Sequence, residues 1–197
     1  MRQQLDDGRQ RCPWGRGSWL GPYHDAEWGV PRHDDRDHLE ALILDGAQAG
    51  LSWELILKRR EAYREALWNF DPERLAEADP EMVDQLMEAP GLIRHRGKLH
   101  AALSNARAFR AVQGEWGSFD RYIWSWVEGR PVIHRYERAE DVPPTDDLGR
   151  AVSRDLRRRG FRFVGPIICY SYLQGVGIVM DHLLTCYRHH ELSGAGD

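Results

Sequence analysis

Two pairs of metal-type side chains stand at opposite ends of this 197-residue chain, Cys12 with His24 and His182 with Cys186. An ion held by all four would force the fold to bring its two ends together, whatever lies between. The apolar spacing predicts a final helix through 179–187, on which His182 and Cys186 project from one face a turn apart. Two ligands of one tetrahedral zinc need that geometry. Cys12 and His24 are spaced like a pair carried on a loop. A complete Cys2His2 set fills every position of the ion, which marks a structural site rather than a catalytic one. The plainer alternative, a buried thiol at Cys186 and a hydrogen-bonded core histidine at His182, stays open on spacing alone. Cys169, in the run Ile167-Ile168-Cys169-Tyr170, reads as core. Three cysteines in a chain of this length cannot make a disulfide framework.

Between the pairs the pattern is helical, and strand-like alternation is almost absent. Residues 1–35, rich in Gly, Pro and aromatics, read as an irregular lead segment. Leu39, Leu42, Ile43 and Gly46 space a first helix that ends near Gly50. Ser52 caps a second with Leu55, Ile56, Tyr63 and Leu67 on one face, and Asp71-Pro72 opens a short third. Asp79-Pro80 opens another with Met82, Val83, Leu86 and Met87 apolar. Further helices are expected from Lys98 to about Val112, over Phe119 to Val127, from a cap at Thr145 or Asp146 to Arg159-Gly160, and from Ile167 to Leu173. The chain therefore reads as all-α. It is expected to act as one unit: the lead segment and C-terminal helices carry the metal, and roughly 36–165 holds the helical core.

The hydrophobic share of 42% and charged share of 29% suit a globular core. A mean hydropathy of -0.62 leaves no room for a membrane span, so no membrane partner is expected. Met1 to Arg11 lacks the apolar centre of a signal peptide, and cytoplasmic residence is the expectation. The net charge of -4 speaks mildly against a nucleic-acid partner. Its distribution speaks otherwise. Gly91 to Val112 carries Arg94, Arg96, Lys98, Arg107 and Arg110 with no acid, and Arg154, Arg157, Arg158, Arg159 and Arg162 face only Asp155. Either run alone reads equally well as a solvated helix face; together they could form one phosphate-binding face.

Three further features bear on chemistry. Trp14, Tyr23, Trp28 and Trp53 form an aromatic group, three of them in the lead segment. Such rings suit a flat, electron-poor ligand, and a cationic methylated purine would gain about 0.5–2 kcal/mol of cation–π attraction over the normal base. They could equally plug the joint between lead segment and helices. Asp45 stands alone in the apolar stretch Ala41-Leu-Ile-Leu-Asp-Gly46. A buried carboxylate must have partners or a task, either a cationic ligand or loop amides at the helix end. Finally, Gly91-Leu-Ile-Arg-His-Arg-Gly97 joins two helices, and amides in a tight turn at a helix N-terminus bind phosphate without reading sequence.

Four blocks together resemble a known family: Tyr-His-Asp-Ala-Glu-Trp-Gly-Val-Pro (23–31), Gln-Ala-Gly-Leu-Ser-Trp (48–53), Gly-Leu-Ile-Arg-His-Arg-Gly-Lys (91–98) and Gly-Phe-Arg-Phe-Val-Gly-Pro-Ile-Ile-Cys-Tyr-Ser (160–171). In order and nearly uniform spacing, from about Arg11 to Tyr187, they are similar to DNA-3-methyladenine glycosylase I of the helix-hairpin-helix superfamily. The resemblance implies an all-α glycosylase fold with a zinc clasp on Cys12, His24, His182 and Cys186. It implies a base site formed by Trp14, Tyr23, Trp28, Trp53 and Gln48, with Asp45 as the catalytic carboxylate. It also implies DNA contacts from the Gly50-Leu51 turn and from Gly91, Arg94, Arg96, Gly97 and Lys98. The implied activity is release of alkylated purines from double-stranded DNA by base flipping, without lyase chemistry. Nothing calls for an obligate protein partner.

Two departures stand out against that family. It carries glutamate where this chain has Asp45, one methylene shorter, and a family tyrosine falls on Leu20 or neighbouring Trp19. Three other readings follow: a binder of alkylated DNA that has lost turnover, a glycosylase of shifted lesion range, and a zinc hydrolase with one ligand replaced by water.

Overall fold

A computed structural model describes residues 7–194; Met1 to Asp6, part of the segment read above as too polar for a leader, lie outside them. The described chain is a helical assembly with one two-residue pair of parallel strands. Its elements are α1 (Leu20–Ala26), α2 (Asp35–Gln48), α3 (Trp53–Ala66), α4 (Pro72–Glu77), α5 (Met82–Glu88), α6 (Arg96–Trp116) and α7 (Phe119–Ser125), followed by β1 (Val132–Ile133), α8 (Asp147–Arg158), α9 (Pro166–Gly175), β2 (Val179–Met180) and α10 (Tyr187–Leu192).

Helix starts follow capping chemistry. Side-chain oxygens of Ser52, Asp71, Ser118 and Asp146 accept from the amides of Leu55, Arg74, Arg121 and Gly149. α6, at 21 residues about 31 Å long, is the central post. It buries Leu99, Leu103, Ala106, Phe109 and Val112 against α2, α4, α5 and α7. α2 lies between α6, α9 and α3 and buries nine of its 14 residues, including His38, Glu40 and Asp45. Each of those polar groups then needs a partner or a purpose. His38 meets Asp120 and Tyr172, and Glu40 meets Arg60 and Arg64. Asp45 meets no hydrogen-bond donor among the described residues.

Two expectations need correction. The lead segment is not wholly irregular: α1 lies inside it, and Pro22 sits in the first turn, where a missing N–H costs nothing. The last helix is not continuous over 179–187. Gly177, at φ 72°, turns the chain after α9, and a Cβ there would lie 2.3 Å from the Val30 carbonyl carbon. Val179 and Met180 then run extended, pairing Val132 with Val179 and Ile133 with Met180. β-branched side chains at a crowded chain crossing favour this short strand over a helical turn. His182 and Cys186 therefore sit on a loop, and a turn closed by the Cys186 amide on the Leu183 carbonyl (2.7 Å) brings them together.

A small apolar cluster of Cys12, Trp28, Leu183 and Cys186, with Tyr23, Tyr136, Val142 and Tyr187 against it, joins the two ends of the chain beside the main core. No described helix is long and apolar enough to cross a membrane.

Candidate active site and metal centre

The four metal-type residues converge. One ligand atom from each of Cys12, His24, His182 and Cys186 lies within 4.8 Å of the others, and all four residues are buried. The Cys186 sulfur stands 3.5 Å from His24 Nε2 and 3.5 Å from His182 Nδ1, and the Cys12 sulfur 3.7 Å from His182 Nδ1. Tetrahedral zinc, with bonds of about 2.3 Å to sulfur and about 2.0–2.1 Å to nitrogen, sets sulfur–nitrogen edges near about 3.6 Å. The donor set fits.

The surroundings fit as well. His24 turns Nδ1 to Asp25 (2.8 Å), which Arg11 holds at 2.8–3.1 Å, leaving Nε2 for an ion. His182 turns Nε2 to the Trp28 carbonyl (3.0 Å), leaving Nδ1. Such outer contacts fix the tautomer of metal-binding imidazoles. A hydrogen bond from Cys12, then contacts with both histidines, pull the Cys186 thiol strongly toward thiolate, while Cys12 is pushed the other way. The Leu183 amide also points at the Cys12 sulfur (3.5 Å). Gly15 makes the approach possible, since a Cβ there would lie 2.4 Å from the His24 ring.

A cavity of about 390 Å³ opens beside this cluster. It brings together all six residues expected around a base: Trp14, Tyr23, Trp28, Asp45, Gln48 and Trp53. Trp14 and Trp28 meet edge to face at 4.8 Å, and Tyr23 leans on Trp53 at 5.4 Å. The metal-type histidines brace the same wall. His24 packs on Trp14 (5.2 Å) and His182 on Trp28 (4.6 Å), and Cys12 itself lines the cavity.

Asp45 lines the cavity from α2, 6% exposed and without a hydrogen-bond partner among the described residues. Burial pushes its carboxyl well above the ordinary carboxylate range. The Trp53 indole N–H, also at the cavity, is buried and unpartnered. Gln48 spends its Nε2 on the Leu51 carbonyl (3.0 Å), closing the Gly50-Leu51 turn, where Gly50 takes φ 77°.

The 89–95 turn leads from α5 into α6, and His95 caps α6 by accepting from the Lys98 amide (3.1 Å). Gly91 is exposed at φ 86°, in close contact with Ala62, and its carbonyl accepts from Arg59 (2.8 Å). Gly97 and Arg94 are exposed, and Arg96 pairs with Asp84. The Lys98 ammonium is tied inward to the carbonyls of Ala47 (2.8 Å) and Ala49 (2.6 Å) at the end of α2. Arg107 likewise holds the carbonyls of Ala76 and Ala78, and Arg158 and Arg159 pair with Asp155. Arg94, Arg154, Arg157 and Arg162 remain without an ion pair among the described residues.

Residues 16–189 match the model of the methyladenine glycosylase family. The chain belongs to that family. It is 42% identical over 177 residues to the DNA-3-methyladenine glycosylase of Haemophilus influenzae, covering 89% of this chain and 96% of that one. A crystal structure of 3-methyladenine DNA glycosylase I superposes with a TM-score of 0.87 at 44% identity, over 90% of this chain and 98% of that one. A tyrosine-to-phenylalanine variant of 3-methyladenine DNA glycosylase I, solved in complex with 3-methyladenine, also gives 0.87, at 36% identity over 90% and 96%.

Among this family member's cavity residues, Ser171, Gln174 and Asp181 escaped the sequence reading. Asp181 is buried and accepts from Tyr170, Gln174 and His134, each at 2.7 Å. A lone acid in the apolar run Ile178-Val-Met-Asp181 is the same signal that exposed Asp45.

Proposed function

We propose that this chain is a monofunctional DNA repair glycosylase that flips 3-methyladenine out of duplex DNA and hydrolyses its N-glycosidic bond. One observation carries the reading: a buried, unpartnered carboxyl at the wall of an aromatic cavity. A carboxylate in such a place is unstable alone and is stabilised by a cation laid against it. N3-methylated adenine is cationic, flat and poorly stacked, so it fits the rings, gains from Asp45, and costs least to extrude.

The charge on the base already weakens the bond to C1′. When that bond breaks, its electron pair stays with the purine, which leaves neutral without prior protonation. The sugar becomes oxocarbenium-like, and a water adds to C1′ and releases a proton. Asp45 stabilises the migrating positive charge and orients the water, a role worth about 10²–10³ in rate. The described residues that line the cavity include no lysine, in keeping with a monofunctional reading.

We read the Cys2His2 cluster as a structural zinc site on the same basis as above: complete donor set, matching edges, oriented imidazoles. Bound zinc would cross-link the chain ends and supply no reactive position. We assign the DNA face to the Gly50-Leu51 turn and to the helix–hairpin–helix at Gly91, Arg94, Arg96 and Gly97, with Lys98 as its inner strut rather than a phosphate contact.

The deciding experiment is chromatography of free bases released from methylated duplex, for wild type and Asp45→Asn. Rapid release of 3-methyladenine, lowered about 100-fold or more in the variant, is expected. Equal release by both proteins would discard the role of Asp45. Binding of damaged DNA with no release by wild type would leave a lesion binder instead.

A further inference from the structure

The loop between α8 and α9 holds one aromatic residue in a conformation its side chain does not favour. Phe163 has φ 55°, the left-handed region that a residue with a Cβ rarely adopts. Its neighbours enforce this. The buried Asn105 amide grips Arg162 twice: Nδ2 donates to the Arg162 carbonyl (3.0 Å), and the Arg162 amide donates to Oδ1 (2.8 Å). On the other side, the Val164 carbonyl accepts from the Ser153 hydroxyl (2.6 Å) and the Cys169 thiol (3.4 Å). Pinned at both ends, the loop carries the Phe163 ring at the surface, 37% exposed, while Phe161 and Val164 on either side go into the core. Strain of this kind persists where surrounding structure over-determines it, and it gathers at working surfaces.

The position is informative. A Cβ on Gly46 would lie 3.3 Å from the Phe163 Cβ, and one on Gly97 would lie 3.9 Å from Cζ. The ring also stands edge-on to His95 at 6.0 Å. Phe163 thus fills the seam between the end of α2, which runs on into the Gly50-Leu51 turn, and the first turn of α6. Arg162 and Arg94, on this loop and the hairpin, are exposed and without an ion pair among the described residues. In the first turn of α9, Ile167 is 56% exposed and lines the cavity. Apolar side chains flanked by unpaired cations suit a duplex that has been opened: phosphates at the edge, unstacked bases within.

We propose that Phe163 is a DNA-contacting residue whose ring bears on the duplex beside the step that the extruded nucleotide leaves, as a second apolar contact next to Gly50-Leu51. This rests on the glycosylase reading above. Two variants test it, Phe163→Gly and Phe163→Asn, since both residues tolerate the left-handed backbone while removing the ring. Fluorescence anisotropy on a duplex carrying a tetrahydrofuran abasic-site analogue measures the contact, calorimetry with free 3-methyladenine measures the cavity, and thermal melting checks the fold. The expected result for the folded variants is about ten-fold weaker binding to the abasic duplex. Affinity for free base and the slope of affinity against salt should not change, because an apolar contact releases no counterions. Duplex affinity within two-fold of wild type in a folded variant would overturn the proposal, as would an equal loss of free-base binding, which would make the ring a support of the cavity. Failure of wild type itself to bind the abasic duplex would remove the glycosylase reading and this inference with it.

Discussion

The metal cluster and the cavity share a wall, yet the polar groups of the cluster and the cavity's Asp45 and Trp53 stand in opposite states. At the cluster, each imidazole has its second nitrogen anchored, each thiol has close partners, and Asp25 is held by Arg11. In the cavity, Asp45 has no hydrogen-bond partner among the described residues, and neither does the Trp53 indole. Both regions are buried, so burial alone does not separate a strut from a site. Satisfaction does. A group completed by its own chain holds structure together, whereas a group left incomplete is held ready for something that arrives later.

The largest effect should come from breaking the complete side. Stripping the metal with a chelator, or Cys186→Ser, should lower Tm by about 10 °C or more and abolish stoichiometric zinc in elemental analysis. An unchanged Tm with full activity would reduce the four residues to ordinary core.

Next comes the incomplete side, where removing the functional group should stabilise the protein. The folded-state pKa of Asp45 is raised above its unfolded value, so the native state binds the extra proton. Stability is then greatest below the unfolded pKa of about 3.9 and falls as pH rises toward the folded value, at up to about 1.4 kcal/mol per pH unit. Asp45→Asn lacks that loss. Its melting temperature should match wild type near about pH 4 and exceed it increasingly as pH rises until the folded-state carboxyl ionises, and a constant gap between the two would show that Asp45 has a partner after all.

The smallest effect separates two basic residues. Lys98→Gln should cost about 1–2 kcal/mol of stability by freeing the carbonyls at the end of α2, while the salt dependence of DNA binding stays as it was. Arg94→Gln should leave Tm unchanged and lower the slope of log affinity against log salt by about 0.9. The reverse pattern would return Lys98 to the DNA face.

What was legible in the sequence follows the same division. Asp45 stood out because a polar group in an apolar run must have a cause, and Asp181 gave that signal too; the Cys/His pairs stood out by their spacing. Helix starts were legible wherever a local cap writes them, as at Ser52 and Asp71-Pro72. Partners distant in sequence were not. The acid-poor run around Lys98 displays its charge, but its acceptors lie 49 and 51 residues upstream. The short strand at Val179 depends on Val132, which local periodicity cannot see. His182 and Cys186 were matched as neighbours through a helix that is absent; the tight turn at Leu183 achieves the same approach.

The bracing of Trp14 and Trp28 by His24 and His182 carries a consequence for how the cavity can change. Reshaping that wall means disturbing the join between the chain ends, so its outline is frozen. Elsewhere on the lining, Ala139, Pro144 and Ile167 are exposed and brace neither histidine, and surface replacements there should cost within about 0.5 kcal/mol. Variation in the size of base accepted can therefore enter through these residues and not through the braced wall, like a vice with one fixed jaw.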